Sequence, residues 1–227
     1  CSNKWNGIFL LDINTGEFRL SPLKEYDREI SRILIDSKNR VWTTSYNKGI
    51  VCLNKKGETI HSYSTKNSSI SHDVILCMTE HKGKIWAGTD GGGINIIDPE
   101  THQIKTLIHI PGDKNSLPVN TIQYIFHNKS SDICWAGSVK GGAIIIRESF
   151  IESYTDVPLN IDNGLTEKAV LSFYQEPGSE EIWIGTDGGG INRFNPSTLK
   201  FKHYPTTLHR REKIVSICRY NNNELLV

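Results

Sequence analysis

The sequence predicts an all-β fold, a β-propeller of four-stranded antiparallel blades with about five repeats present. Three observations carry this. First, the string Ile182-Trp183-Ile184-Gly185-Thr186-Asp187-Gly188-Gly189-Gly190-Ile191-Asn192 has a near-copy at Ile85–Asn95 and looser copies at Val41–Ile50 and Cys134–Ala143. In all four, a Trp stands seven residues before the last glycine. Second, Gly7, Gly49, Gly93, Gly142 and Gly190 share one register and lie 42 to 49 residues apart. Self-similarity at that period signals a propeller, solenoid or array. Third, each repeat holds four short runs rich in Ile, Val, Trp and Phe, separated by Gly, Pro, Asn and Asp, the mark of an antiparallel meander. Four strands in about 45 residues leave no room for the helices of helical repeats.

The third repeat serves as the template. Strand A is Val74–Glu80, followed by a turn at His81–Gly83, strand B at Lys84–Gly88 and a loop at Thr89–Gly92. Strand C is Gly93–Ile97, then a turn at Asp98–Thr101 and strand D at Gln103–Ile110. Strand A recurs at Ile30–Asp36, Thr121–His127, Ala169–Gln175 and Ile214–Tyr220. The A–B turns (Asp36–Arg40, His127–Asp132, Glu176–Glu181, Asn221–Asn223) carry the Asn, Gly or Ser that tight hairpins need. The D–A crossings are longer, at Thr65–His72, Pro111–Val119, Asp156–Glu167 and Thr206–Glu212. Leu23, Tyr26, Ile30, Ile33 and Leu34 recur at helical spacing. The strand reading prevails there because Ser31–Asp36 falls where strand A must lie, just before Asn39-Arg40-Val41-Trp42.

Residues 1–227 thus read as a single propeller region. Its repeats lie at about 25–68, 69–113, 114–164 and 165–211, with 212–227 and 1–24 as half blades. The chain is expected to open in a B–C loop, with two strands of a blade at each end and Leu226 in the Trp position. Two architectures fit: part of a larger ring, such as a seven-bladed one, with open edges, or a closed five-bladed ring.

Composition narrows the function. Apolar residues make up 37% and charged residues 22%, enough to build a core. The net charge of +1 marks neither a nucleic-acid binder nor a membrane-surface binder. No apolar run approaches the roughly 20 residues of a spanning helix, and the first residues do not read as a signal peptide. Cys1-Ser2-Asn3 resembles a lipoprotein start, but Cys1 aligns with Ala87 and Ala136 inside a strand. The five cysteines are odd in number and lack a Cys-x-x-Cys pair, so Cys52, Cys77, Cys134 and Cys218 read as small buried thiols in strands. The eight histidines form no His-x-x-x-His pair, and no metal or cofactor site is expected. The Asp-Gly-Gly-Gly strings lie between strands, without the helix N-terminus that a phosphate cradle uses. The repeat Trp residues read as wedge-filling packing, and the repeat glycines as positions of positive φ or close backbone approach.

In a propeller the B–C loops and D–A crossings share one face, and loops vary without disturbing the sheets. Lys4-Trp5-Asn6 stands where the other repeats have Tyr46-Asn47-Lys48, Asp90-Gly91-Gly92, Val139-Lys140-Gly141 and Asp187-Gly188-Gly189. Trp5 and Tyr46 offer rings on which a sugar could stack, and Asp90 and Asp187 offer acceptors, though turn formation also explains both carboxylates. Lys140, Arg210 and Arg211 would suit a sulfated or uronic-acid ligand. An enzyme would instead gather acids or metal ligands at the strand-A starts. These carry Arg28-Glu29, His72-Asp73, Val119-Asn120, Glu167-Lys168 and Glu212-Lys213, with no repeated catalytic set. A protein-interaction scaffold is the third class, because fold does not fix function.

The string at 182–196 and the crossing Pro111-Gly112-Asp113-Lys114-Asn115-Ser116-Leu117-Pro118-Val119-Asn120 resemble the two-component regulator propeller repeat family. Thr43-Thr44, Val139-Lys140 and Leu226 depart from its pattern. The resemblance covers the chain and implies the periplasmic sensor region of a Bacteroidetes hybrid two-component histidine kinase. There, two seven-bladed propellers precede an immunoglobulin-like domain, a membrane helix, the kinase and a response regulator. It further implies a non-catalytic region, with an oligosaccharide as ligand and glycan-utilisation genes as output. Sister domains of the same protein, or a second copy in a homodimer, would be its partners. Nucleic acid and membrane would not contact this region.

Overall fold

The computed structural model describes residues 2–3, 7–20, 30–128, 132–147, 151–154, 164–205, 212–221 and 223–227. Among them every regular element is a strand, and no helix is long and apolar enough to cross a membrane. The chain divides into two compact units, Cys1–Thr106 and Leu107–Val227.

The first unit opens with a three-stranded sheet of β1 (Ser2–Asn3), β2 (Gly7–Leu11) and β3 (Phe18–Leu20). A full blade follows: β4 (Ile30–Ile35), β5 (Val41–Ser45), β6 (Ile50–Leu53) and β7 (Thr59–Tyr63). The next comprises β8 (Ile75–His81), β9 (Lys84–Thr89), β10 (Ile94–Ile97) and β11 (Ile104–Leu107), whose last residue lies past the division. In the second unit, β12 (Ile122–Asn128), β13 (Ile133–Ser138), β14 (Ala143–Ile146) and β15 (Ile151–Tyr154) make one blade. The strands β16 (Val170–Gln175), β17 (Ile182–Thr186), β18 (Ile191–Asn195) and β19 (Lys200–Tyr204) make another. The last sheet pairs β20 (Cys218–Arg219) with β21 (Leu225–Leu226).

Strand A bulges at one place in all four full blades, between Ile30 and Arg32, Ile75 and Cys77, Ile122 and Tyr124, and Val170 and Ser172. One extra residue per blade bends the strand and strengthens its twist. Alternation then gives each sheet two apolar faces. Trp42, Ile50, Cys52 and Tyr63 pack with Ile85, Ala87 and Ile97 of the next blade. Trp135, Ala143 and Ile145 pack with Ile182, Ile184 and Phe194 in the same manner. Trp42, Trp86 and Trp135 are buried, whereas Trp183 is half-buried beside Tyr204 and beneath the Arg193 guanidinium.

Three expectations change. Ser2–Asn3 pair with Gly7 and Ile8, so the chain opens on a strand and the first sheet has three strands, not two. Ile214–Tyr220 pairs only over Cys218–Arg219, because β21 offers two residues. The earlier part bonds backwards instead, with Ile214 N donating to Thr186 O at 3.0 Å. Cys218, expected inside, is exposed, on the same face as the exposed Leu226 and Tyr220. Cys52, Cys77 and Cys134 are buried. Burial pushes the Cys52 thiol up to about 11 and the Cys77 thiol up to about 12, which keeps both protonated and unreactive at neutral pH. The helix-like spacing around Ile30–Leu34 resolves as strand over Ile30–Ile35.

A polar staple joins the two full blades of the first unit at the A–B turn. Asp36 accepts from the Trp42 indole N–H at 2.9 Å, the Arg40 Nε at 2.6 Å and the Arg40 backbone N at 2.8 Å. Arg40 and Lys38 both donate to Glu100 at 2.8 Å, and Ser37 donates to Glu80 from backbone and hydroxyl. Burial alone would raise the Asp36 pKa, but the Trp42 and Arg40 hydrogen bonds hold it below the ordinary 3.8. A depressed carboxylate contributes stability that is complete above its unfolded value and lost as pH falls through its folded value. Asp36→Asn should therefore flatten the acid limb of a melting-temperature profile below about pH 4, where the unaltered chain loses this contribution. An unchanged acid limb would show that the staple adds no pH-dependent stability.

Candidate functional site

The B–C loops are closed from within. Thr89 Oγ1 donates to Gly93 O at 2.8 Å and accepts from Gly92 N at 2.9 Å. Ser138 Oγ makes the matching bonds to Gly142 O and from Gly141 N at 3.0 and 2.8 Å, and Thr186 Oγ1 donates to Gly190 O at 2.8 Å. The repeat glycines Gly49, Gly93, Gly142 and Gly190 have φ of 75°, 77°, 75° and 73°, as their register predicts. The glycine before them yields space to the crossing: a Cβ at Gly92 would meet Ser71, at Gly141 Pro118 and at Gly189 Thr166. Packing and turn geometry therefore account for the Asp-Gly-Gly-Gly strings.

Within each unit, two successive loops are pinned to the start of one strand A. Gly49 N donates to Asp73 O at 3.0 Å and Asp90 N to Val74 O at 3.1 Å. Gly142 N donates to Lys168 O and Asp187 N to Ala169 O, both at 2.9 Å. The Tyr46 loop and the Asp90 loop thus flank Asp73-Val74, and the Lys140 loop and the Asp187 loop flank Lys168-Ala169.

The crossings are latched by residues that the sequence reading passed over. Asn95 Oδ1 accepts from Ser71 N at 3.0 Å while its Nδ2 donates to Ser71 Oγ at 2.7 Å. Asn192 grips Thr166 in the same way, accepting its N at 3.1 Å and donating to its Oγ1 at 2.9 Å. His203 Nδ1 lies 2.8 Å from Asn192 Oδ1, and since that oxygen can only accept, the ring nitrogen is the donor. Ile70, Leu117 and Leu165 are buried in the first three crossings. The repeat pattern held a clue: Asn follows the repeat glycine by two at 95 and 192, but Val51 and Ile144 replace it elsewhere.

On this frame Tyr46, Asp90 and Lys140 are exposed. Asp187 is half-buried and its carboxylate meets Lys213 Nζ at 2.9 Å, an exposed pair of the kind that contributes little stability. Trp5, Arg210 and Arg211 lie outside the described residues. Among the described residues at the strand-A starts, Asp73, His72 and Glu167 hold groups of the nearby chain. Asp73 accepts from Thr65 N at 2.8 Å and Thr65 Oγ1 at 2.6 Å, His72 Nδ1 accepts from Val74 N at 3.0 Å, and Glu167 accepts from Lys168 N at 2.9 Å.

Fold and loops together define a propeller-type repeat protein, with constant blades and variable loops. No family model matches the chain, and no curated protein matches its sequence. Solved structures do match. The extracellular domain of BT4673 from B. thetaiotaomicron, designated a hybrid two-component system, superposes with a TM-score of 0.71 at 17% identity over 96% of this chain and 29% of that one. That of BT3049 from the same organism, designated likewise, gives 0.60 at 18% identity over 90% and 32%. PorZ of Porphyromonas gingivalis, a surface component of the type-IX secretion system, gives 0.59 at 18% identity over 83% and 29%. The chain spans about a third of these proteins or less, and at such identities the likeness establishes the fold.

Proposed function

We propose that residues 1–227 form one propeller region in the periplasmic sensor part of a hybrid two-component protein. The region recognises an oligosaccharide, is not itself catalytic, and regulates glycan-utilisation genes through the kinase, beside further propeller and immunoglobulin-like domains. One observation carries the reading: each B–C loop of the four full blades is bonded to a strand-A start, and three are also closed by a Thr or Ser hydroxyl, while the side chains they present differ. Tyr46 and Asp90 stand exposed on the loops of the first unit, as a ring and an acceptor suited to sugar hydroxyls, and Lys140 on a loop of the second, as a cation suited to acidic groups. The engagement of Asp73, His72 and Glu167 with groups of the nearby chain supports the absence of catalysis. The likeness to extracellular domains of two hybrid two-component systems supports the location and the signalling role. A ligand would act by binding one arrangement of the neighbouring domains better than another.

The test is a thermal-shift screen of the extracytoplasmic region against a glycan panel, with product analysis of every hit. A bound sugar at 100 times its Kd adds about 2.7 kcal/mol of stability. The expected result is a raised melting temperature with the sugar intact, reduced in Trp5→Ala and Tyr46→Ala. Cleavage of a hit would replace this reading with an enzyme. Silence across the panel would favour an interaction scaffold.

A further inference from the structure

Two histidines meet between the first two full blades. His61 lies on β7 with Tyr63, two residues on and therefore on the same face, their ring centroids 4.6 Å apart. His102 closes the turn between β10 and β11 of the next blade, at φ 59°. Its ring stacks on His61, with centroids 4.0 Å apart and planes 13° from parallel. Its Nδ1 lies 2.8 Å from the Tyr63 hydroxyl. The repeat requires neither histidine. Gly16 and Leu199 stand at the turn position of His102, nine residues after the repeat glycine, and share its positive φ. Glu152 and Lys202 stand at the strand position of His61, opposite the third residue after that glycine. The matching junction in the second unit thus carries Glu152 and Leu199, without an imidazole.

The surroundings favour neutral rings. Burial pushes the Tyr63 hydroxyl up to about 12, so it keeps its proton and needs an acceptor. Neutral His102 with its proton on Nε2 supplies one at Nδ1, and a second ring proton takes it away. Burial, and then the neighbouring His102, hold His61 below the ordinary 6.5. Cys52, which pairs with His61 across the sheet, also stays neutral, its thiol pushed up to about 11. The charged groups on the surrounding elements are bonded to other partners. Asp98 accepts from the Glu100 and Thr101 backbone N–H groups and meets Lys84 at 3.9 Å. Glu100 takes Lys38 and Arg40, and Asp36 takes Arg40 and Trp42. Two imidazolium rings stacked face to face repel each other. We propose that the His61–His102 stack is a pH-sensitive clasp, which joins the two blades when neutral and opens when both rings are charged. Opening parts the rings and frees the Tyr63 hydroxyl, while the apolar packing of Trp42 with Ile85 and Ile97 stays in place. A base held below its unfolded pKa gives stability that is complete above that value and lost as pH falls. For His61 that loss begins near 6.5, far above the window in which Asp36 titrates.

Ring-proton NMR of the chain, titrated from about pH 8 to about pH 4.5, tests this. The expected result is two midpoints for the pair, more than about one pH unit apart, with the mutual ring-current shifts lost at the second step. In His61→Phe, which keeps a ring and removes the charge, the lower step should vanish. His102→Asn, a residue type that tolerates positive φ, should also leave a single step. Between about pH 7.5 and 5.5, the unfolding constant of the unaltered chain should rise at least about threefold more than that of His61→Phe. Both rings titrating together at the ordinary histidine value overturns the proposal, as do ring-current shifts that persist once both are charged. An acid profile that His61→Phe leaves unchanged also overturns it. The titration of the unaltered chain decides the matter even where a variant fails to fold.

Discussion

Trp42→Ala is expected to lower the free energy of unfolding by about 3–5 kcal/mol, the range for removing a large buried ring. The ring is wholly buried, lies 6.0 Å from the Tyr63 ring, and sits in a cluster with Ile50, Cys52, Ile70 and Ile85. Its loss opens a cavity that sheets on both sides hold open. It also removes the indole donor from Asp36, whose carboxylate is buried. Trp42→Phe separates the two effects: a ring remains, and losing the hydrogen bond should cost about 1–3 kcal/mol. Trp183→Ala should cost clearly less, because that ring is half-buried and gains from Tyr204 and Arg193 at the surface. Denaturant titrations followed by near-ultraviolet circular dichroism will rank the three. Equal losses at Trp42 and Trp183 would mean that burial between blades is not what the repeat Trp provides.

Gly49→Ala should destabilise on the order of 3 kcal/mol, through two effects that add. At φ 75° a side chain is strained. A Cβ at this position would also land on the Tyr63 carbonyl oxygen, which cannot retreat because Tyr63 is paired with Ile50 in the sheet. Gly16 has the same φ of 75° with open space around it, so Gly16→Ala should show the backbone strain alone, about 1 kcal/mol. The difference between the two variants, read as denaturation midpoints, measures the clash. Matching losses would remove the close approach from the account.

What the sequence made legible is what depends on neighbours along the chain. The repeat glycine is readable because φ near 75° is a local requirement, repeated in one register at Gly49, Gly93, Gly142 and Gly190. The strand order within each blade is readable because short turns force adjacent strands to pair. The latches were not readable, because Asn95 and Asn192 act on partners 24 and 26 residues away in crossings of varied sequence. The same holds for Arg40, whose partner Glu100 is 60 residues on. Cys218 looks like a buried strand residue in Ile217-Cys218-Arg219, but it lies on the exposed face that it shares with Leu226. Of the candidate ligand contacts, sequence placed Tyr46, Asp90, Lys140 and Asp187 on the B–C loops. It could not show that Lys213 already engages the Asp187 carboxylate.

The central claim is that the loops present binding side chains on a frame that those side chains do not help to hold. Titration calorimetry tests it most directly, using the sugar that gives the largest thermal shift against the unaltered region and against Tyr46→Ala and Lys140→Ala. The account predicts at least about a tenfold loss of affinity in one variant, with the melting temperature of the free protein unchanged. Unaltered affinity in both variants would contradict it, and so would a fall in free-protein stability large enough to explain the loss.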